Sequence, residues 1–120
     1  MRWFMQNVPA TGVAIENVST KRIGFQIAGP KARDVLATVA KGDVSNAAFS
    51  FMDVQELDIG LLRATVQRVS YTGDLGYEIY VNADEQRTLY NLLAEAGAAH
   101  GMQPFGMRAM MSLRLEKFFG

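Results

Sequence analysis

Residues 68–81, Arg68-Val69-Ser70-Tyr71-Thr72-Gly73-Asp74-Leu75-Gly76-Tyr77-Glu78-Ile79-Tyr80-Val81, read as a polar glycine turn with a strand leading out of it. Before the turn, Leu62, Ala64 and Val66 alternate with Arg63, Thr65 and Gln67, the period of a strand with one buried face. Within it, Gly73 and Gly76 supply positions where positive φ costs little. After it, Tyr77, Ile79 and Val81 share one face, and Glu78 and Tyr80 share the other. Glu78 therefore stands beside aromatic side chains just past the turn. A carboxylate has two acceptor oxygens and no donor, so it matches a ligand edge that presents two adjacent N–H groups. Carboxylates on strands are more commonly solvated or paired with arginine, and strand tyrosines more commonly pack, so spacing alone does not make this a site.

Outward from this stretch, the chain reads as an α+β unit. Residues 1–12 read as the end of a helix whose start is missing, broken by Pro9 and Gly12. Val13–Val18 is a short strand candidate, expected to form a hairpin with a strand over 23–29. Gly29-Pro30 opens a helix over 30–41, with Pro at a first-turn position that needs no N–H and Gly42 placed as a left-handed cap. Strands follow at 51–59, 61–70 and 76–81, with Gly60 as a turn or bulge. Asp84 is the expected N-cap of a helix over 84–97. The order β-α-β-β-β-α predicts a mainly antiparallel sheet with helices on one face, loosely ferredoxin-like. A last helix over Met107–Phe118 carries apolar residues almost all round, which predicts burial on several sides.

Composition narrows the partners. Lys plus Arg number 12 against 12 Asp plus Glu, and no stretch concentrates basic residues. Nucleic acid and anionic membranes are therefore not the expected partners. The chain has no cysteine and one histidine, so neither a disulfide framework nor a thiolate or histidine metal site can be assembled. No apolar run approaches the ~18 residues that span a bilayer. No Gly-x-Gly-x-x-Gly follows a strand, and no Ser–His–Asp or Cys–His set is available. Large apolar residues stand at both ends (Trp3, Phe4, Met5; Phe118, Phe119), which leads to the expectation of one partial domain over 1–120, truncated at both ends.

Three stretches resemble one family. Ser70–Val81 closely resembles the signature of the folate-binding aminomethyltransferases, which include the glycine-cleavage T-protein and the folate domains of dimethylglycine and sarcosine dehydrogenases and oxidases. Ile27-Ala28-Gly29-Pro30-Lys31-Ala32-Arg33-Asp34-Val35-Leu36 is similar to the family's Gly-Pro-x-Ala-Arg helix start, and Ser112-Leu113-Arg114-Leu115-Glu116-Lys117 to its Ser-Leu-Arg-Leu-Glu helix. The resemblance implies tetrahydrofolate as cofactor and transfer of a one-carbon unit from an amine to it. It implies that Glu78 binds the pterin ring and that Tyr71 lines the same site, while Tyr77 packs on the opposite face. No catalytic residue is assigned. Implied partners are small molecules, a folate and an amine-derived one-carbon donor, and further domains of a parent chain. The implied location is the cytoplasm, or the mitochondrial matrix in a eukaryote. Two departures stand out. Met110 takes a position where the T-protein branch has a cofactor-contacting arginine, so residues 109–114 look closer to the dimethylglycine and sarcosine dehydrogenase branch. The family's key aspartate has no counterpart within the 120 residues. Two alternatives follow: a non-catalytic scaffold or regulatory module of the same fold, and, more weakly, a demethylase acting on a sulfur or O-methyl donor. The upstream parent sequence separates the first from an enzyme, since a Gly-rich hairpin carrying an aspartate supports the enzyme, and folate titration is the first measurement to make.

Overall fold

A computed structural model of the chain describes residues 1–119. The strand that follows the signature turn, β5 (Gly76–Asn82), is an inner strand of the sheet, paired on both sides. On one side β1 (Arg22–Ala28) pairs with it antiparallel from Arg22↔Asn82 to Ala28↔Gly76. On the other lies β4 (Leu62–Gln67), then β3 (Val54–Ile59), then the two-residue β2 (Ala40–Lys41), all antiparallel. The order is β1-β5-β4-β3-β2. The expected α+β class, with a mainly antiparallel sheet, is what the chain forms.

Alternation along the strands sets the two faces. Tyr77, Ile79 and Val81 of β5 are fully buried, with Ala64 and Val66 of β4 and Ile59 of β3. Against this face pack α2 (Ala32–Val39), through Ala32, Val35 and Leu36, and α3 (Gln86–Ala98), through Leu89, Leu93 and Ala96. Both helices therefore cover one face, and the opposite face carries the polar members of each strand. Phe49, from the connection between β2 and β3, closes the core with its ring 5.6 Å from that of Tyr77.

Several local expectations give way to tertiary geometry. Val13–Val18 joins no strand, and β1 takes β5 as its partner instead of a preceding hairpin arm. The first helix, α1 (Arg2–Asn7), is shorter than expected and buries nothing. Pro30 precedes α2 rather than opening it: a turn from Ala32 N–H to the Gly29 carbonyl (3.0 Å) comes first. Gly42 does not cap α2, because Ala40 is already extended and enters β2. The strand expected from residue 51 begins at Val54, since Met52 adopts φ 73° in the preceding turn. The cap expected at Asp84 is Asn82, whose backbone N–H donates to Glu85 Oε2 (3.0 Å) in a capping box. It opens a 3-10 turn, Ala83–Glu85, that leads into α3. Gly60 is a turn: at φ 60° it joins Ile59 to Leu62 in a two-residue hairpin.

The largest correction concerns α4 (Met107–Glu116), expected to be buried on several sides. None of its residues is buried, and Met107 and Leu115 are 67% and 73% exposed. Periodicity reports how much of a helix is apolar, not whether another element lies against it.

Candidate functional site

The three family-like stretches meet at the turn between β4 and β5. Gly29 N–H donates to the Leu75 carbonyl (2.8 Å), which ties the Gly-Pro segment to the turn. Arg114 of α4 donates from Nη1 to the Tyr71 carbonyl (2.7 Å). Its guanidinium lies 4.4 Å from the Tyr71 ring centroid and 4.7 Å from that of Phe119. Lys117 pairs with Asp74 at 2.9 Å, and this hydrogen bond, with the carboxylate's charge, raises the lysine pKa. Gly73 has φ 81°, and a Cβ there would stand 3.0 Å from Lys117 Cβ and 3.1 Å from Phe119 Cβ. Gly76 is needed for a different reason than positive φ: a Cβ on it would lie 2.9 Å from the Val69 carbonyl oxygen.

Glu78 leaves this turn on the open, polar face of the sheet. It is partly buried, and Tyr80 Oη donates to its Oε2 at 2.6 Å. No lysine, arginine or histidine pairs with it among the described residues, so it is not the arginine-paired carboxylate common on strands. Tyr80 reaches back over β1, where it stands opposite Gly24. A Cβ on Gly24 would meet the Tyr80 ring at 2.6 Å, so the absence of a side chain there is what lets the ring lie down. The hydrogen bond to Glu78, then burial, then the carboxylate's charge push the Tyr80 pKa up to about 12. Arg22 stays on the neighbouring row, donating to Thr65 Oγ1 (2.8 Å) and the Tyr80 carbonyl (3.3 Å).

Directly across the ladders, Glu78 is flanked by Gln26 of β1 and Gln67 of β4. Opposite residues on antiparallel strands project to the same face, so the three form one row. Gln26 Nε2 is buried and has no hydrogen-bond partner. Gln26 also lines a groove of about 820 Å³ between the edge of β1, α3 and α4, with Phe25, Tyr90, Phe105 and Met110.

Of the two residues singled out from sequence, Glu78 thus stands on an open polar face. Tyr71 turns toward α4, where Oη donates to Met111 Sδ (3.2 Å), and the residue is 38% exposed. Tyr77 packs, as expected: it is fully buried, and its hydroxyl accepts from Arg33 Nε (3.2 Å). Sequence reasoning set Tyr80 on the face of Glu78 but gave it no role, and missed Gly24, Gln26 and Gln67. A glycine inside a strand is a legible signal of close approach, but its partner appears only with the register. No group of acidic or histidine residues suited to a metal ion occurs among the described residues. No helix among them is long and apolar enough to cross a membrane.

The fold and this turn define an α+β domain built on an antiparallel sheet, with a carboxylate displayed on its uncovered face. The chain belongs to the GCVT N-terminal domain family, which it matches over residues 1–120. It is 36% identical over 121 residues to mitochondrial dimethylglycine dehydrogenase of Homo sapiens, covering 99% of this chain and 14% of that protein. It is 35% identical to the sarcosine oxidase subunit alpha of Rhizobium meliloti (91% of this chain, 11% of that one). To an aminomethyltransferase of Caldanaerobacter subterraneus the identity is also 35% (96% and 30%). The chain therefore spans a small part of the curated relatives it matches. In three dimensions it is similar to the heterotetrameric sarcosine oxidase of Corynebacterium sp. U-96 in complex with pyrrole 2-carboxylate. The TM-score is 0.63 at 19% identity, over 74% of this chain and 44% of that one, a likeness of fold.

Proposed function

We propose that residues 1–120 are the pterin-orienting part of a folate-binding domain in an aminomethyltransferase-type or demethylating enzyme. In the parent enzyme a one-carbon unit passes from an amine to tetrahydrofolate. The observation that carries this reading is Glu78: a partly buried carboxylate, unpaired with any cation among the described residues, with Oε2 steadied by Tyr80. The residues fit the cofactor. One tyrosine hydroxyl uses one acceptor position of the carboxylate, and the positions left match the adjacent amino and ring N–H donors of a pterin. Bound tetrahydrofolate would supply the one-carbon-accepting nitrogens; this chain's part is to hold and orient the ring. Tyr71 enters the same proposal as a wall residue, placed through its stack on Arg114. The proposed partners are the folate, an amine-derived donor and further domains of the parent chain, in the cytoplasm or the mitochondrial matrix.

Calorimetric titration of tetrahydrofolate into the parent enzyme and its Glu78→Gln variant tests this. The amide sets a donor against a donor, and the expected loss is about 1–3 kcal/mol. An unchanged dissociation constant removes Glu78 from the site. A second reading, a folate-family scaffold that binds no folate, is favoured by Met110, which lines an apolar groove and stands where the resemblance to the T-protein branch implies an arginine. It predicts no binding heat from a folded parent protein.

A further inference from the structure

We propose that Gln26 and Gln67 are specificity-determining residues that flank Glu78 and read the two acceptor atoms bordering a pterin's donor pair; this rests on the folate reading above. The row Gln26–Glu78–Gln67 runs straight across three paired strands on the open face. Adjacent strands lie ~4.8 Å apart, so a flat heterocycle held on Glu78 has an amide on each side of it. The 2-amino-4-oxo edge of a pterin reads acceptor, donor, donor, acceptor: N1, the 2-amino group, N3–H and O4. The row offers the complement: an amide donor, a carboxylate with two acceptor oxygens, and a second amide donor.

The state of the two amides supports this. Gln26 Nε2 is buried without a partner, which a protein of this size does not ordinarily leave in its structure. Gln67 has no side-chain hydrogen bond among the described residues. Neither is engaged by the fold. The Tyr80 hydroxyl holds Glu78 from the next row, leaving both sides of the carboxylate to the glutamines. Gln26 lines the groove along β1 as well, so it sits where the open face meets that groove of about 820 Å³. An unpaired amide in such a place gains a partner when a carbonyl or ring nitrogen arrives. A site that leaves polar groups unpaired with the wrong ligand discriminates strongly against it.

The test uses the parent enzyme with two probes: tetrahydrofolate and 6-methyltetrahydropterin, which keeps the pterin edge and lacks the aminobenzoylglutamate tail. Calorimetry and thermal unfolding are run on wild type, Gln26→Leu, Gln67→Leu and the near-isosteric Gln26→Glu. Each leucine variant is expected to bind both probes about tenfold more weakly, because one ligand acceptor is left without a donor. Gln26→Glu is expected to lose more, since it sets a second carboxylate beside the first. The ligand-free Tm of Gln26→Leu is expected to hold or rise, since the substitution removes a buried unpaired amide. Unchanged affinities in the leucine variants, with Glu78→Gln weakened, overturn the role of the glutamines and leave the folate reading standing. A lowered Tm at unchanged affinity marks Gln26 as a structural residue and overturns it too. A folded wild type that binds neither probe sinks the folate reading and this inference together.

Discussion

At the scale of single residues, the geometry turns on Gly24, Tyr80 and Glu78, three positions in two strands. Removing the hydroxyl with Tyr80→Phe frees Glu78 Oε2 and lets the carboxylate rotate. Tetrahydrofolate affinity is expected to fall by about 0.5–1.5 kcal/mol, the worth of one hydrogen bond, with the fold intact by circular dichroism. Tyr80 also carries a pH signature. Its pKa in the folded chain is raised from 10.0 to about 12, so its share of stability is present in full below pH 10.0 and is lost as pH rises through about 12. Titrating the tyrosines by phenolate absorbance should show one group ionising late, and Glu78→Gln should return that group toward 10.0, since both the acceptor charge and its repulsion of the phenolate are gone. A titration of Glu78→Gln that matches wild type would break the link between the two residues. Gly24→Ala reaches the same bond from the other strand. Its Cβ would press on the Tyr80 ring at 2.6 Å, and the expected result is a loss of about 1–3 kcal/mol in urea unfolding together with an earlier tyrosine titration.

At the scale of elements, α4 depends on the signature turn. None of its residues is fully buried, so Arg114, Lys117 and the close approach to Gly73 do much to hold it in place. The Lys117–Asp74 pair is partly exposed to solvent, which screens it, and adds little. The stacked Arg114 matters more, because its guanidinium both donates to the turn backbone and faces two aromatic rings. Gly73→Ala combines an unfavourable φ with contacts of 3.0 and 3.1 Å. It is expected to cost about 1–2 kcal/mol locally. Hydrogen exchange should then speed up across residues 107–116 and stay slow in β5; slow exchange in both would show that α4 does not rely on the turn. The same contacts explain why a Ser-Leu-Arg-Leu-Glu helix and a glycine turn far apart in sequence occur together: one is the seat of the other.

For the molecule as a whole, stability is concentrated in the covered face of the sheet. Ile79 lies on an inner strand and is fully buried, so Ile79→Ala is expected to cost about 2–5 kcal/mol and to shift the urea midpoint accordingly. Leu61, 98% exposed at the hairpin tip, should tolerate alanine within about 0.5 kcal/mol. Equal effects at the two positions would contradict the division into a packed face and an open one. That division also places the candidate site. Because α2 and α3 both pack on one side, the proposed ligand would lie on the other, across β1, β5 and β4, away from the packed core of the described residues.

Much of this was legible in residue order. Period-two alternation in β4 and β5 assigns each side chain to a face through local backbone geometry, so Glu78 and Tyr80 could be set together, and Tyr77 apart, before any contact was known. Helix spacing in 32–39 and 86–98 likewise reflects the periodicity of one element. What residue order left open were properties of pairs of elements distant in the chain. Val13–Val18 and β1 resemble a hairpin locally, yet β1 gains a seven-residue ladder and a buried face by pairing with β5. The apolar circumference of α4 could not reveal that it stays exposed. Gln26, Glu78 and Gln67 are neighbours only because three strands align in one register, and register follows from which faces must be buried together across the whole sheet.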